Sequence, residues 1–266
     1  MGPRGAARSA LAAQPRRIAH IASALLDVLL PPHCPACGDE VALQGTICAS
    51  CFASLTFITR PLCVVCGLPF ASLGLAGRES TCGRCLETPP PWRQARAALL
   101  YDDASRRLIL PMKHADRQEN ADILAAHMVR AGAALLTETN LLVPVPLHRA
   151  RLFRRGFNQA ALLARTIGRR AALPACLDAL CRIRPTHMLG TLTAAERAAE
   201  LAGAFALRIA RADRIAGQRI LLIDDVLTSG ATAGACARTL LDAGARHVDV
   251  LVATRVPDPR WRDTRS

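Results

Sequence analysis

The sequence predicts an α/β protein in which a mainly parallel sheet is flanked by helices and preceded by a small zinc-binding module. Three observations predict it. Eight of the 11 cysteines fall between residues 34 and 85, in four C-x-x-C pairs. Beyond Pro89-Pro90-Pro91, apolar runs of strand length alternate with helical stretches, the pattern of a parallel sheet with crossover helices. One run, Ile220 to Ile223, is continuously apolar, as a strand buried on both faces must be.

The amino terminus reads as a basic, Ala-rich arm and a short amphipathic helix over residues 1–32. It could imitate a signal or transit peptide, but Asp27 interrupts its apolar part and no convincing A-x-A-like site follows, so an arm and helix are the expectation. No run approaches the roughly 20 apolar residues that span a bilayer. The expectation is a cytoplasmic protein without membrane insertion. Charge is one-sided: 34 basic residues against 21 acidic leave +13, which suits polyanionic partners, nucleic acid or phosphorylated small molecules. Aromatics are only 3%, so the core is expected to be mainly Ala, Leu, Ile and Val, and any nucleic-acid contact to be dominated by the backbone rather than by extensive base stacking.

The cysteine pairs are Cys34/Cys37, Cys48/Cys51, Cys63/Cys66 and Cys82/Cys85. Two such knuckles bring four thiolates around one tetrahedral zinc, and Gly38 and Gly67 permit the turn after the second cysteine. Disulfides fit a reducing compartment poorly, and a redox pair needs one motif, not four in series. Residues 33–88 are therefore a double zinc ribbon with two structural zinc ions, paired either in order or interleaved. His33 is a spare candidate ligand. Cys176, Cys181 and Cys236 are isolated and read as small buried residues.

Residues 92–256 form the α/β part, with 257–266 a tail. Strands are expected near Ala97–Tyr101, over Leu141–Val145 and at His247–Ala253. Helices are expected over Ser105–Met112, Asn120–Leu136, Asn158–Ala172 and Ala233–Ala243, with a polar connection before the Ile220 strand. That strand ends at Asp224 and Asp225, and Val226 and Leu227 lead into Thr228-Ser229-Gly230-Ala231-Thr232. A small polar loop before a helix offers N–H groups and hydroxyls to a phosphate. Adjacent carboxylates accept hydrogen bonds from vicinal hydroxyls or hold a divalent ion that arrives with the ligand. Phosphate beside a diol describes a ribose 5-phosphate. No GxxxxGK[ST] partner exists for a Walker reading, since Lys113 is the only lysine. The stretch resembles the phosphoribosyl pyrophosphate (PRPP) motif of type I phosphoribosyltransferases.

Two further segments carry chemistry. Val145-Pro146-Leu147-His148 ends a strand and leads into Arg149, Arg151, Arg154, Arg155, Asn158 and Gln159, in a stretch with seven arginines and no acid between Glu138 and Asp178. Such clustering at a strand end favours anion or nucleic-acid contact, with single-stranded DNA the expected polymer. Lys113 stands alone in a chain that otherwise uses arginine, a compact ammonium suited to a chemical role.

Taken in order, the four cysteine pairs, Lys113, PVPLH, RxxxxRRGFNQA, RIRPT, AER, GAF and the PRPP motif resemble the competence protein F family (ComF/GntX-like) over nearly the whole chain after the arm. The resemblance implies a double zinc ribbon joined to a phosphoribosyltransferase-like domain, associated with DNA uptake and natural transformation. It implies that Asp224 and Asp225 bind ribose hydroxyls, that Thr228–Thr232 bind the 5-phosphate, that Val145–His148 stand in for the pyrophosphate loop, and that magnesium comes with PRPP. Asp224, Asp225 and Lys113 are the catalytic candidates if the chain is an enzyme. The alternative is a non-catalytic single-stranded nucleic-acid factor that uses the same site as a sensor. Two departures stand out: Leu189 in Thr186-His187-Met188-Leu189 and Glu200 in Arg197-Ala198-Ala199-Glu200 replace amides of the family pattern.

Overall fold

The computed structural model describes residues 31–70, 80–113, 119–184 and 194–257. The arm and helix expected over 1–32 lie outside them but for Pro31 and Pro32, as do Thr186–Leu189 and all of the tail but Pro257. The cysteine-rich part carries two short helices, α1 (Ala49–Ser54) and α2 (Gly83–Glu87). There follow β1 (Ala95–Leu100), α3 (Asp103–Ile109), a 3-10 turn over Pro111–Lys113, α4 (Glu119–Ala131), α5 (Ala133–Glu138) and β2 (Leu141–Pro144). Then come α6 (Arg149–Arg155), α7 (Gln159–Ala171), β3 (Leu180–Arg182), α8 (Ala194–Leu201) and β4 (Phe205–Leu207). A 3-10 segment over Ile209–Arg214, β5 (Arg219–Leu227), α9 (Ala231–Asp242) and β6 (His247–Arg255) close the described chain.

The main sheet has the order β1-β6-β5-β2, and every pairing in it is parallel. Side chains alternate across a strand, so the apolar run of β5 feeds two cores. Ile220 and Leu222 join Val143 and Val250 under Ala233, Cys236 and Leu240 of α9. Leu221 and Ile223 join Leu142 and Leu251 under Leu124 and Met128 of α4 and Leu163 and Ile167 of α7. Helices thus cover both faces, which is why the run is uninterrupted. This is the α/β layering that the sequence predicts. Among the described residues no helix is long and apolar enough to cross a membrane.

Several elements differ from expectation. β5 does not stop at Ile223; it runs on to Leu227 because β6 continues opposite it, pairing Val226 with Thr254 and Leu227 with Arg255. The long helix expected over Asn120–Leu136 is two helices. Gly132 breaks it where the chain meets β6, so closely that an added Cβ would lie 2.8 Å from the Leu251 side chain. α3 starts earlier than expected on a capping box, Ser105 N donating to Asp102 Oδ1 at 2.9 Å and Asp102 N to Ser105 Oγ at 3.0 Å. It ends before Pro111, which has no N–H to continue the ladder that Leu110 N still extends to Arg106 O. The basic segment after His148 is a helix of its own, α6, stopped by Gly156 at φ +77°. The polar connection holds an antiparallel pair, β3 with β4, whose Leu180 and Phe205 roof the α9-side core.

The cysteine-rich part is fastened to the sheet. Between its two halves, Ile58 N donates to Ala98 O at 3.0 Å and Leu100 N donates to Thr56 O at 2.9 Å. Thr56–Ile58 thereby covers the outer edge of β1 in antiparallel sense, with Phe57 opposite Leu99.

Candidate functional site

The carboxyl ends of β5 and β2 lie side by side, the place where open parallel sheets gather ligands. Asp224 and Asp225 sit within β5, both half-buried, and Asp225 N donates to Asp224 Oδ1 at 2.9 Å. Thr254 Oγ1 of β6 donates to Asp225 O at 3.2 Å, fixing the strand beneath the carboxylates. Of the residues expected around the phosphate, Val226 and Leu227 belong to the strand and Ala231 and Thr232 to the first turn of α9. The turn itself is Thr228-Ser229-Gly230. Gly230 makes it, in the left-handed region at φ +82°, and Ser229 Oγ accepts from Ala231 N at 3.4 Å.

Beside it, Val145 N donates to Ile223 O at 2.9 Å, prolonging the β2–β5 ladder by one residue. Pro146 and Leu147 follow, and His148 caps α6, its Nδ1 accepting from Ala150 N at 3.3 Å. Asn158 ties this turn to α7: its Nδ2 donates to Val145 O at 3.0 Å and its Oδ1 accepts from Ala160 N at 3.0 Å. Arg155 donates to Gln159 Oε1 at 3.2 Å. Burial lowers the pKa of the Arg155 guanidinium, and the negative charge of Asp225 works in the opposite direction. Arg149, Arg151 and Arg154 are exposed on α6, whereas Gln159 is buried at 2%. Phe153, between these arginines and 92% exposed, is a residue the sequence reading passed over. Lys113 ends the 3-10 turn; its side chain lies outside the described residues.

The eight cysteines form two separate clusters, in chain order: Cys34, Cys37, Cys48 and Cys51, then Cys63, Cys66, Cys82 and Cys85. That decides the pairing left open by the spacing. Within each cluster the sulfurs lie within 4.8 Å of one another, with Cys37–Cys48 at 3.6 Å and Cys66–Cys82 at 3.7 Å. A tetrahedron with Zn–S bonds of about 2.3 Å sets its sulfurs about 3.8 Å apart, so the donor sets fit two structural zinc ions. Backbone amides help to hold the sulfurs: Cys63 Sγ accepts from Cys66 N at 3.5 Å and from Cys82 N at 3.4 Å. The Ser50 hydroxyl and then the Cys51 amide lower the Cys48 thiol to about 6, towards the thiolate that binds metal. Exposed His33 is in neither cluster. Of the isolated cysteines, Cys176 and Cys236 are buried as expected, while Cys181 on β3 is half-buried with Sγ 3.4 Å from Ala206 O.

The second cluster abuts the Thr228 turn. Arg84 of α2 donates to Ser229 O. Trp92 donates from Nε1 to Val65 O at 3.0 Å, and its ring lies directly under Gly230. From β6, Arg255 donates through Nη1 to Leu227 O at 3.0 Å, to Thr228 O and to Val256 O at 3.3 Å. Arg84 is a variable position of the fourth C-x-x-C pair, and Trp92 and Arg255 belong to no motif, so nothing in one sequence marks any of the three as a neighbour of the turn.

A family model described as "Double zinc ribbon domain" matches residues 25–86. The chain is 33% identical over 227 residues to a DNA utilization protein, YhgH, of Escherichia coli (strain K12), covering 83% of this chain and 96% of the relative. Competence protein F of Haemophilus influenzae is 27% identical over 217 residues, covering 76% and 94%. Competence protein ComFC of Bacillus subtilis is 28% identical over 205 residues, covering 74% and 79%.

Proposed function

The chain belongs to the competence protein F family, and from that membership we propose that it binds a 5-phosphorylated ribose, PRPP with magnesium, at the carboxyl end of β5, in the service of DNA uptake. One observation carries the reading: two carboxylates on a central strand are followed within three residues by a glycine-turned loop that opens a helix. Asp224 and Asp225 would accept hydrogen bonds from the ribose hydroxyls. The amides of Thr228–Gly230 and the first turn of α9, with the Thr228 and Ser229 hydroxyls, would hold the 5-phosphate. Val145–His148 and Arg155 would border the pyrophosphate, Arg155 supplying positive charge. Magnesium bound with the pyrophosphate would neutralise part of its charge. If phosphoribosyl transfer follows, a nucleophile displaces pyrophosphate from C1, and the protein's share is positioning and charge stabilisation. Lys113 is then the further catalytic candidate. The relatives' names, DNA utilization and competence, support the DNA association.

A second reading has its own observation. Arg149, Arg151, Phe153 and Arg154 are all exposed on α6, so one short helix carries phosphate-binding charge and a ring on which a base of single-stranded DNA can stack. A pyrophosphate-release assay with PRPP, magnesium and a panel of bases and amines, run beside single-stranded DNA titrations, separates the two. Release with one acceptor makes the chain a transferase; DNA binding without release makes it a binding factor.

A further inference from the structure

We propose that the second cysteine cluster is a working part of the ligand site: through Arg84 and Arg255 it holds the Thr228 turn in its binding conformation, so metal there governs ligand affinity. The geometry is a matter of peptide planes. Arg255 and Arg84 together take the carbonyl oxygens of Leu227, Thr228 and Ser229, three successive residues. In a planar trans peptide the carbonyl of one residue and the N–H of the next point in opposite directions. Fastening those three carbonyls on the ribbon side therefore turns the N–H groups of Thr228, Ser229 and Gly230 to the other side. Among the described residues these three amides donate no hydrogen bond. They form a concave set of donors, as anion-binding backbone nests do.

The anchors belong to the ribbon as much as to the sheet. Arg84 lies between Cys82 and Cys85, on the five-residue helix that Cys82 caps and Cys85 sits within. Its position depends on that cluster's being closed. A gap of about 40 Å³ between ribbon and turn is lined by Cys66, Cys85, Arg84, Trp92, Ser229 and Arg255. Four thiolates and one Zn²⁺ carry a net charge of −2, so a filled cluster draws both guanidiniums into that gap. Trp92 completes the seat: bound to Val65 O in the ribbon, it supports Gly230 from below. The first cluster makes no comparable contact among the described residues. Its neighbours Ala36, Ile47 and Leu55 pack into the core on the α4 and α7 side.

The ligand part of this inference rests on the phosphoribosyl reading; the coupling part does not. Both are tested on the full chain, wild type against Cys85→Ser, Cys48→Ser and Arg84→Ala, with zinc content measured for each. Deuterium exchange is followed in peptides containing Gly234 and Val256, whose amides donate to Gly230 O and Leu227 O. Exchange there should quicken about tenfold in Cys85→Ser and in Arg84→Ala, the loss of roughly one charge-assisted hydrogen bond. Cys48→Ser, which empties the other cluster, should leave it unchanged. Arg84→Ala removes an exposed side chain, keeps both zincs and serves if Cys85→Ser does not fold. Unchanged exchange in Arg84→Ala overturns the proposal, as does equal quickening in Cys48→Ser and Cys85→Ser. Titration with magnesium-PRPP should show about tenfold weaker binding for Arg84→Ala. Altered exchange in a protein whose wild type binds no PRPP upholds the coupling and refutes the phosphoribosyl reading.

Discussion

Gly230→Ala probes the seat of the turn without reference to any ligand. Gly230 holds φ +82°, a left-handed conformation that costs an L-residue about 1–2 kcal/mol. The new Cβ would also lie 2.6 Å from Cη2 of Trp92. The tip of a side chain often yields to such an intrusion. Trp92 is poorly able to, being 7% exposed with its Nε1 fixed to Val65 O at 3.0 Å. Overpacking of this kind adds about 1–3 kcal/mol, for a total near 2–5 kcal/mol. At roughly 2–4 °C per kcal/mol for a chain of this size, the melting temperature should fall by about 5–15 °C. Gly203 is the control: its φ is +65°, yet nothing lies within 4 Å of its would-be Cβ, so Gly203→Ala carries only the backbone cost. Denaturant and thermal unfolding at fixed zinc concentration measure both, since metal that binds the native state shifts apparent stability. Introducing Trp92→Leu into each background should shrink the cost of Gly230→Ala and leave that of Gly203→Ala alone. If the two glycine variants differ by less than about 0.5 kcal/mol, the ring does not constrain the turn and the reasoning fails.

Asp224→Asn with Asp225→Asn should fold and keep its zinc, since neutralising adjacent carboxylates relieves repulsion. Its magnesium-PRPP affinity should nonetheless drop at least tenfold by calorimetry, each charge-assisted bond being worth about 1.5–3 kcal/mol. Metal analysis should give two zincs per chain, and Cys34→Ser or Cys82→Ser should each remove one; a single zinc in the wild type would contradict the two clusters. Arg151→Ala with Arg154→Ala should lower the slope of log K for single-stranded DNA against log salt by about 1–2, whereas Phe153→Ala should weaken binding with the slope intact. Burial and then the Arg130 charge hold the half-buried His127 below its ordinary pKa, so the unfolded chain takes up the proton first. Stability from this group is complete above about pH 6.5 and is lost as pH falls through that value, and His127→Gln should flatten the pH dependence of unfolding there.

What could be read from the sequence is what repeats or runs. Four evenly built cysteine pairs announce two metal clusters, because thiolate spacing is local chemistry. Ile220–Ile223 announce a central strand, because burial on both faces leaves an unbroken apolar run. What escaped is set by partners far along the chain. β5 passes through Asp224 and Asp225 because β6 supplies hydrogen bonds as far as Arg255, and no property of the two acids reveals that. Gly132, at the junction of two helices, leaves no room for a side chain because Leu251 approaches it across the fold. β3 and β4 are three residues each, too short for a period to register. The geometry of the candidate ligand loop depends on Arg84, Trp92 and Arg255, single residues whose meaning exists only once the ribbon and the sheet touch.

The strip Thr56–Ile58 along β1 has a bearing on how this chain is made. A sheet that ends in an uncovered strand offers a template on which a neighbouring molecule can grow, and natural proteins cap such rims. Here the cap is synthesised before the rim: the ribbons leave the ribosome first and wait for β1 to arrive. A fragment begun at Pro89 would reach the same strand order with Ala98 O and Leu100 N bare. Its natural escape would be to recruit an extended segment from another copy. The cysteine-rich part thus covers a rim that a crop of the chain at its proline-rich junction would leave open to association.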